Sequence, residues 1–468
     1  MRGLYLFEYS HFLNFDLAIG ADVGEYISRA REILNGVFLP AAPEIQAPLY
    51  SFLLVGILSS GGNIVAIRII QTLLNYISWT ALYWLMGKKG ISHQVRLVFF
   101  GLSMVLAPII FHPAELISEA LLLPIYTLVF IMLHCSSRAA CKKKEYLYGS
   151  AAGVFSAMAA LTHGLSLAFI VLTAIYLFIL KKWQNALLYL AGSIVILLPV
   201  IAVKSSFYGK TTFLQANSGF NIFLGNNPKA NGECYMRPGN VWRKSHVQAA
   251  KKAAERSIST DRYWLEQAFD FWKKTPGKAA ILYKNKFISI FSGKELIAGA
   301  DGGFLFCRSD SMNLLRFLTF PVFCFAIAGL WYIFKSRKEP LWWPPLILTL
   351  ALFIMQMLTV TSGRYRLLMF PGIIYLAAAG ITYVNWRKIY LLFILILLLT
   401  VWKTYNFLGK DKAEGSALLG EAAFIKGDLA HAGELLLFAS KRFKDSSRVE
   451  NMLGMIAEKQ GDLKTAEK

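Results

Sequence analysis

IGADVGEYISRAREILNGVFLPAAPEIQAPLYS, residues 19–51, is where the reading of this chain turns. Asp22 and Glu25 stand at the start of a short amphipathic pattern, Pro40, Pro43 and Pro48 redirect the backbone, and an apolar run follows. Asp22-x-x-Glu25 has the form of a helix capping box, with an acid at the N-cap and a Glu three residues on. A carboxylate at the mouth of a membrane protein is expensive to hold unless it has work to do. The two readings are compatible, because a capped carboxylate is also an oriented one. From Tyr26 to Leu34 the pattern sets Arg29 and Arg31 among Ile27, Ala30, Ile33 and Leu34, which suits a helix lying on a bilayer surface, with Gly36 to end it.

The rest of the chain is mostly membrane. It has 468 residues, 56% hydrophobic and 14% aromatic, and a mean hydropathy of +0.48. These values exclude an ordinary soluble domain and predict an all-α, polytopic membrane protein. The formal charge of +21 does not indicate nucleic acid. Much of the basic charge lies in short clusters beside apolar runs, as in loops facing the cytoplasm, rather than on one face of a soluble domain.

Apolar runs of spanning length fall at 63–86, 95–111, 117–134, 146–162, 164–180, 186–203, 312–334, 341–358, 367–383 and 390–405, about ten helices in all. Residues 48–59 are too short to span and read as a re-entrant piece. Lys88–Lys89, Arg138 to Lys144, Lys181–Lys182, Lys335 to Lys338 and Arg387–Lys388 then share one side, which the positive-inside rule makes cytoplasmic. The other side receives residues 1–60, a long loop at 204–311, the turn at 359–366 and the tail. This topology leaves Met1 outside, so a further spanning helix is expected ahead of it. The resulting division is 1–60 (first outer loop), 61–203 (membrane helices), 204–311 (outer loop domain), 312–406 (membrane helices) and 411–468 (tail).

The tail repeats itself. Leu419-Gly420, Ala423, Gly427-Asp428-Leu429 and Ala432 recur as Leu453-Gly454, Ala457, Gly461-Asp462-Leu463 and Ala466, always 34 residues on. The period resembles the tetratricopeptide repeat, although that motif's Trp, Tyr and Pro are missing. It implies two helical hairpins, a chain that continues past Lys468, and a surface for a protein partner.

Other polar residues gather at the outer ends of the spans. Glu115 and Glu119 stand four apart, so a helix would put them on one face, with His112 three residues before Glu115. They read as an interfacial polar face or as acidic partners of Asp22. One His and two Glu are too weak a constellation for a metal site, and no cofactor is required. His163 sits in a Thr-His-Gly turn. Arg364 and Arg366 lie in a short turn between spans, where they either anchor lipid headgroups or clamp a phosphate. Asn226 and Asn227 belong to an Asn/Gly-rich stretch that builds turns and also offers amides to sugar hydroxyls. The cysteines lack metal spacing; Cys234 and Cys307 share the long loop and read as free thiols or as a pair.

Asp22 with Tyr26, Ala30, Gly36 and the Ala47-Pro48-Leu49-Tyr50 turn resembles the first outer loop of the polytopic GT-C glycosyltransferases, in the branch of protein O-mannosyltransferases and aminoarabinose transferases. Glu115-Leu116 with Glu119, Asn226-Asn227-Pro228, and Gly363-Arg364-Tyr365-Arg366 ahead of Pro371 look like later landmarks of that branch, in the same order. The resemblance runs from Phe12 to about Trp402. One departure is Gln46-Ala47, where some members carry an acidic-basic pair before the Pro.

What the resemblance implies is inverting transfer of a sugar from a polyprenyl-phosphate donor to a protein, glycan or lipid acceptor at the outer face of the cytoplasmic membrane. A phosphate leaving group needs positive charge nearby rather than a proton, and the attacking hydroxyl needs one base. The paired carboxylates of a glycosidase are therefore unnecessary. Asp22 is the expected base, Arg364 and Arg366 the phosphate cations, Glu25, Glu115 and Glu119 the acidic or acceptor partners, and Asn226 and Asn227 the substrate loop. A divalent metal is left open. The alternatives are a polysaccharide ligase or polymerase, a lipid-linked-sugar flippase, and a membrane-anchored scaffold. The early acidic loop argues against the first, the lack of internal symmetry against the second, and the number of spans against the third.

Overall fold

The computed structural model describes residues 1–19, 21–41, 46–209, 211–215, 217–232, 240–293, 295–296, 308–336, 339–383, 412–441 and 446–462. Every regular element among them is a helix. The expected span at 390–405, the cluster Arg387–Lys388, Arg337 and Lys338, the Cys234/Cys307 question, Pro43, and Leu463 and Ala466 of the repeat all lie outside the described residues.

Helix α1 (Arg2–Ser10) leads through a tight turn to α2 (Ala21–Leu34), and α3 (Leu49–Ser59) follows the proline-rich segment. α2 is amphipathic as read from the sequence. Its buried Val23, Tyr26, Ile27 and Ala30 pack on Tyr50, Leu54 and Ile57 of α3 and on Leu116. Asp22 differs from the capping expectation. It lies inside the first turn of α2 rather than ahead of it, and its carboxylate is engaged elsewhere, as described below.

The membrane part contains α4 (Ile64–Lys88), α5 (His93–Val105), α6 (Ala107–Phe111), α7 (Glu119–Ser137), α8 (Lys142–Thr162), α9 (Ser166–Ile179) and α10 (Trp183–Tyr208). Asn63 caps α4 by accepting from the Ala66 N–H at 3.0 Å, and the left-handed Gly209 ends α10. The expected single span at 95–111 is bent by 66° between α5 and the residues from Ala107 to Ala114. Pro108 follows the break at Leu106, where a missing N–H and a bulky ring disfavour a continuous helix.

After the long loop come α15 (Asp310–Leu315), α16 (Thr319–Ser336), α17 (Trp343–Leu358), α18 (Gly363–Leu367) and α19 (Phe370–Tyr383). Within the loop lie α11 (Ser218–Gly225), α12 (Asn240–Glu255), α13 (Thr260–Lys274) and α14 (Pro276–Ile290).

Among the described residues, fewer helices have full spanning length than the ten expected. Four described helices are long and apolar enough to cross a membrane: Ile64–Lys88, Glu119–Ser137, Trp183–Tyr208 and the continuous Asp310–Lys335; the bent pair makes a fifth. α8 has the length, but its buried face is Gly149, Ala152, Gly153, Ser156, Ala157, Ala159 and Ala160, small residues of low hydropathy that let helices approach. A side chain at Gly153 would stand 2.0 Å from the Tyr189 carbonyl oxygen of α10. α9 and α17 are apolar but only 14 and 16 residues long, and the apolar α19 is described over 14. Each stops early at the end where the polar residues collect, giving way to His163-Gly164, to the turn after Thr359, and to α18.

Among the described residues, the basic connectors at Lys89, Arg138 and Lys182 share one end. The Lys89 pKa is lowered by its partial burial and by the nearby charges of Arg138 and Lys182. At the same end Glu339 accepts from the Ser92 N–H at 3.1 Å. The opposite end, here the polar end, brings together the turn after α1, the residues ahead of α7 and the long loop. Arg68 of α4 donates there to the carbonyls of Phe15 (2.8 Å) and Ala114 (2.6 Å).

The tail forms α20 (Lys412–Ile425), α21 (Leu429–Ser440) and α22 (Ser447–Lys459). Gly427 and Gly461, one repeat apart, are both left-handed, with φ of +85° and +81°. The Asp428 N–H donates to Ala423 O at 3.0 Å, and the Asp462 N–H to Ala457 O at 2.9 Å. The repeat in sequence is thus a repeat in helix termination. Leu13 packs against the tail's core, and Lys426 pairs with Asp16 at 2.9 Å.

Candidate active site

Arg364 is the centre of the polar end. It lies on α18, the single turn between the end of α17 and the start of α19. Its Nη1 donates to Asp22 Oδ2, joining residues 342 positions apart. Its Nε lies 3.4 Å from Glu119 Oε1. Asp22 and Arg364 keep 23% and 18% of their side-chain surface exposed, whereas Glu119 has none. A substrate can therefore touch the first two and not the third. Burial alone would lower the Arg364 pKa, but Asp22 and then Glu119 outweigh it and hold the guanidinium charged.

Glu119 is fixed from behind. Its Oε2 accepts from Ser118 Oγ at 3.2 Å, and the Tyr26 hydroxyl lies 3.0 Å from that Oγ and 3.1 Å from Gln46 Oε1. His163 Nε2 stands 3.6 Å from Glu119 Oε1. The Leu165 N–H donates to His163 Nδ1 at 3.3 Å, so Nδ1 is the acceptor and Nε2 carries the hydrogen that faces Glu119. Burial lowers the His163 pKa, against the pull of Glu119, which favours the neutral ring. Gln46 occupies the place where a charged residue was expected, and its Nε2 donates to Glu25 Oε2 at 3.4 Å. Glu25 itself is exposed beside the cluster.

The other expected residues are elsewhere. Glu115 and Glu119 do not share a helix face, because α7 begins only at Glu119 and Glu115 is extended. Glu115 instead lies 3.7 Å from Arg68. Arg366 is fully buried and donates through Nη2 to Glu295 Oε2 at 2.9 Å and through Nη1 to Ser292 O at 2.8 Å. Glu295 Oε1 also meets His112 Nε2 at 2.9 Å. Burial would raise the Glu295 pKa, but Arg366 and His112 prevail and hold the carboxyl below the usual glutamate range. No local pattern announced Glu295.

Asn226 and Asn227 are buried and committed within the protein. Asn226 Nδ2 donates to Ile222 O (2.8 Å) and Leu358 O (2.6 Å), while its Oδ1 accepts from Trp272 and from Lys286, both at 3.2 Å. The Lys286 ammonium also donates to Met357 O at 2.8 Å and Thr359 O at 2.6 Å. Burial pushes Lys286 down to about 7, although three acceptors suit the charged form. This hub fastens the long loop to the end of α17, just ahead of Gly363. Among the described residues no group of three or more His, Cys, Asp and Glu could hold a metal ion.

Residues 38–234 match the Alg9-like mannosyltransferase family. The protein is a glycosyltransferase. That match makes it a hexosyltransferase, and with its apolar helices the enzyme is multi-pass in a membrane. The match supports a GT-C glycosyltransferase. Glu115, Glu119, His163, Asn226 and Asn227 of this glycosyltransferase fall inside the matched stretch, and Asp22, Arg364 and Arg366 outside it. No curated protein and no solved structure matches the glycosyltransferase.

Proposed function

We propose that this glycosyltransferase moves a sugar from a polyprenyl-phosphate donor to an acceptor hydroxyl, with inversion, using Asp22 as general base and Arg364 as the cation for the departing phosphate. The observation that carries the reading is the contact of Asp22 with Arg364, one acid and one guanidinium, both partly exposed at the polar end of a membrane bundle. That pair meets the needs of the reaction. The acceptor oxygen gives its proton to Asp22 as it bonds to the anomeric carbon, and the bond from that carbon to the phosphate oxygen breaks with its electrons passing to the phosphate. A phosphate monoester leaves without a proton, so a fixed cation is the main requirement on that side. Guanidinium geometry suits a phosphate.

In this reading Arg366 supports the turn and Arg364 meets the donor. α2 lies on the bilayer surface on the extracytoplasmic side of the cytoplasmic membrane, where a lipid-borne donor and a soluble acceptor meet. The name of the matched family makes mannose the first sugar to try. The tail, in contact with the turn after α1, is the surface for a protein partner.

The test is incubation of the purified protein with labelled polyprenyl-phosphate sugars, beginning with mannose, and an extract as acceptor, beside the Asp22→Asn variant. Transfer by the wild type and a loss of at least about 100-fold in the folded variant are expected. A variant as active as the wild type would remove Asp22 from the reaction.

A further inference from the structure

Asp22 and Arg364 are in contact, yet the proposed reaction requires them to stand apart. Inversion puts the attacking oxygen and the departing oxygen on opposite faces of one carbon. The base touches the first and the cation the second. With hydrogen bonds of about 2.8 Å at either end and an attacking oxygen about 3–3.5 Å from the carbon, the two groups must be separated by more than about 6 Å. The ion pair leaves no room for a sugar between its members.

We propose that the donor's phosphate displaces Asp22 from Arg364, and that Glu119 is the positioning residue that holds Arg364 through the exchange. This rests on the base and cation roles given above. Three observations carry it. Arg364 presents different atoms to its two acids: Nη1 to Asp22 and Nε to Glu119. One can therefore be released while the other is kept. The Asp22 end is exposed and the Glu119 end is sealed, so an incoming anion competes with Asp22 alone. Finally, Arg364 Nε and Glu119 Oε1 are buried without a hydrogen-bond partner, so the 3.4 Å contact is one that a small turn of the guanidinium would close.

Two consequences follow for the reaction. Before donor binds, the base is neutralised by the cation and does not activate a hydroxyl. Once phosphate takes the guanidinium, Asp22 is free beside the sugar. The donor therefore binds first and the acceptor second. Glu119 touches neither substrate; it acts on the donor only through Arg364.

The experiment measures binding of polyprenyl phosphate alone, without sugar, to the full-length protein in detergent. If Asp22 competes with phosphate, Asp22→Asn binds this probe about tenfold tighter than the wild type, although it transfers nothing. Arg364→Ala loses the binding. Glu119→Gln weakens it several-fold, and in turnover raises the KM for donor while leaving kcat near that of the wild type, with thermal unfolding unchanged. Inorganic phosphate serves as a second probe and should follow the same ranking. Binding by the wild type with equal or weaker binding by Asp22→Asn overturns the exchange and leaves the functional reading standing. A wild type that binds no polyprenyl phosphate overturns both. A Glu119→Gln variant that loses kcat and melting temperature together reduces Glu119 to a structural group and overturns its assigned role.

Discussion

Glu295 accepts from Arg366 at 2.9 Å and so ties the far end of the long loop to the turn that carries Arg364. The same carboxylate meets His112 at the end of the bent helix pair. Three segments distant in sequence are thereby held behind one exposed cation. Replacing Glu295 by Gln leaves Arg366 buried without a counter-charge and should cost about 1–3 kcal/mol in thermal unfolding. The folded pKa lies below the ordinary value, so this stabilisation is complete above about pH 4.3 and is lost as pH falls through the folded pKa. Glu295→Gln should flatten that acid limb; an unchanged limb would show that the pair is not formed in solution.

Gly363 is the close approach in the same turn. A Cβ there would stand 2.2 Å from Glu295 Oε1 and 2.6 Å from Leu296 O. The side chain could move aside; the carbonyl is backbone. Gly363→Ala should cost about 1–3 kcal/mol and lower transfer by displacing Arg364. Melting and activity measured together check it, and a neutral result would mean residues 295–296 do not rest on this turn.

Arg364→Lys keeps the charge but not the fork. A point ammonium cannot present separate donors to Asp22, Glu119 and a phosphate in fixed directions. The KM for donor should rise about tenfold or more, with little change in the KM for acceptor. An equal rise in both would move Arg364 away from the donor.

Lys286 controls how firmly the long loop is seated. Its pKa of about 7 lies below that of an exposed lysine. Between about pH 7 and 10 the unfolded chain holds a proton that the folded one has released, so stability should rise with pH across that window. Lys286→Met should abolish the slope and cost about 1–3 kcal/mol by stranding the Met357 and Thr359 carbonyls. Thermal unfolding at several pH values in detergent distinguishes these outcomes; a slope that survives the substitution belongs to another group.

The parts of this fold that local pattern dictates were legible in the sequence. The amphipathic helix Ala21–Leu34 follows from apolar spacing, the ends of most described apolar helices agree with the expected runs within a few residues, and the repeat of 34 residues reappears in Gly427 and Gly461. What escaped was what depends on residues meeting across the chain. The local pattern gave Asp22 a cap's geometry beside its expected role as base, while the contact with Arg364 spans 342 positions. Glu115 and Glu119 were expected on one face because four residues make a helical turn, but Pro108 and the break ahead of it leave α7 to begin later. Asn226 read as a loop amide and is instead the acceptor for a buried lysine. Glu295 had no pattern at all, since an acid gains its role here only from Arg366 and His112.

The shortened helices α9 and α17 also act on what surrounds the protein. At 1.5 Å per residue they measure about 21 and 24 Å, against a hydrocarbon slab of about 30 Å, and Val171, Ile175 and Leu350 on them face outward. As spans, these two helices would require the lipid beside them to thin or tilt, at a fraction of a kcal/mol for each ångström. Bilayers of short acyl chains would then relieve the mismatch, and two helix lengths would set the membrane thickness this protein prefers.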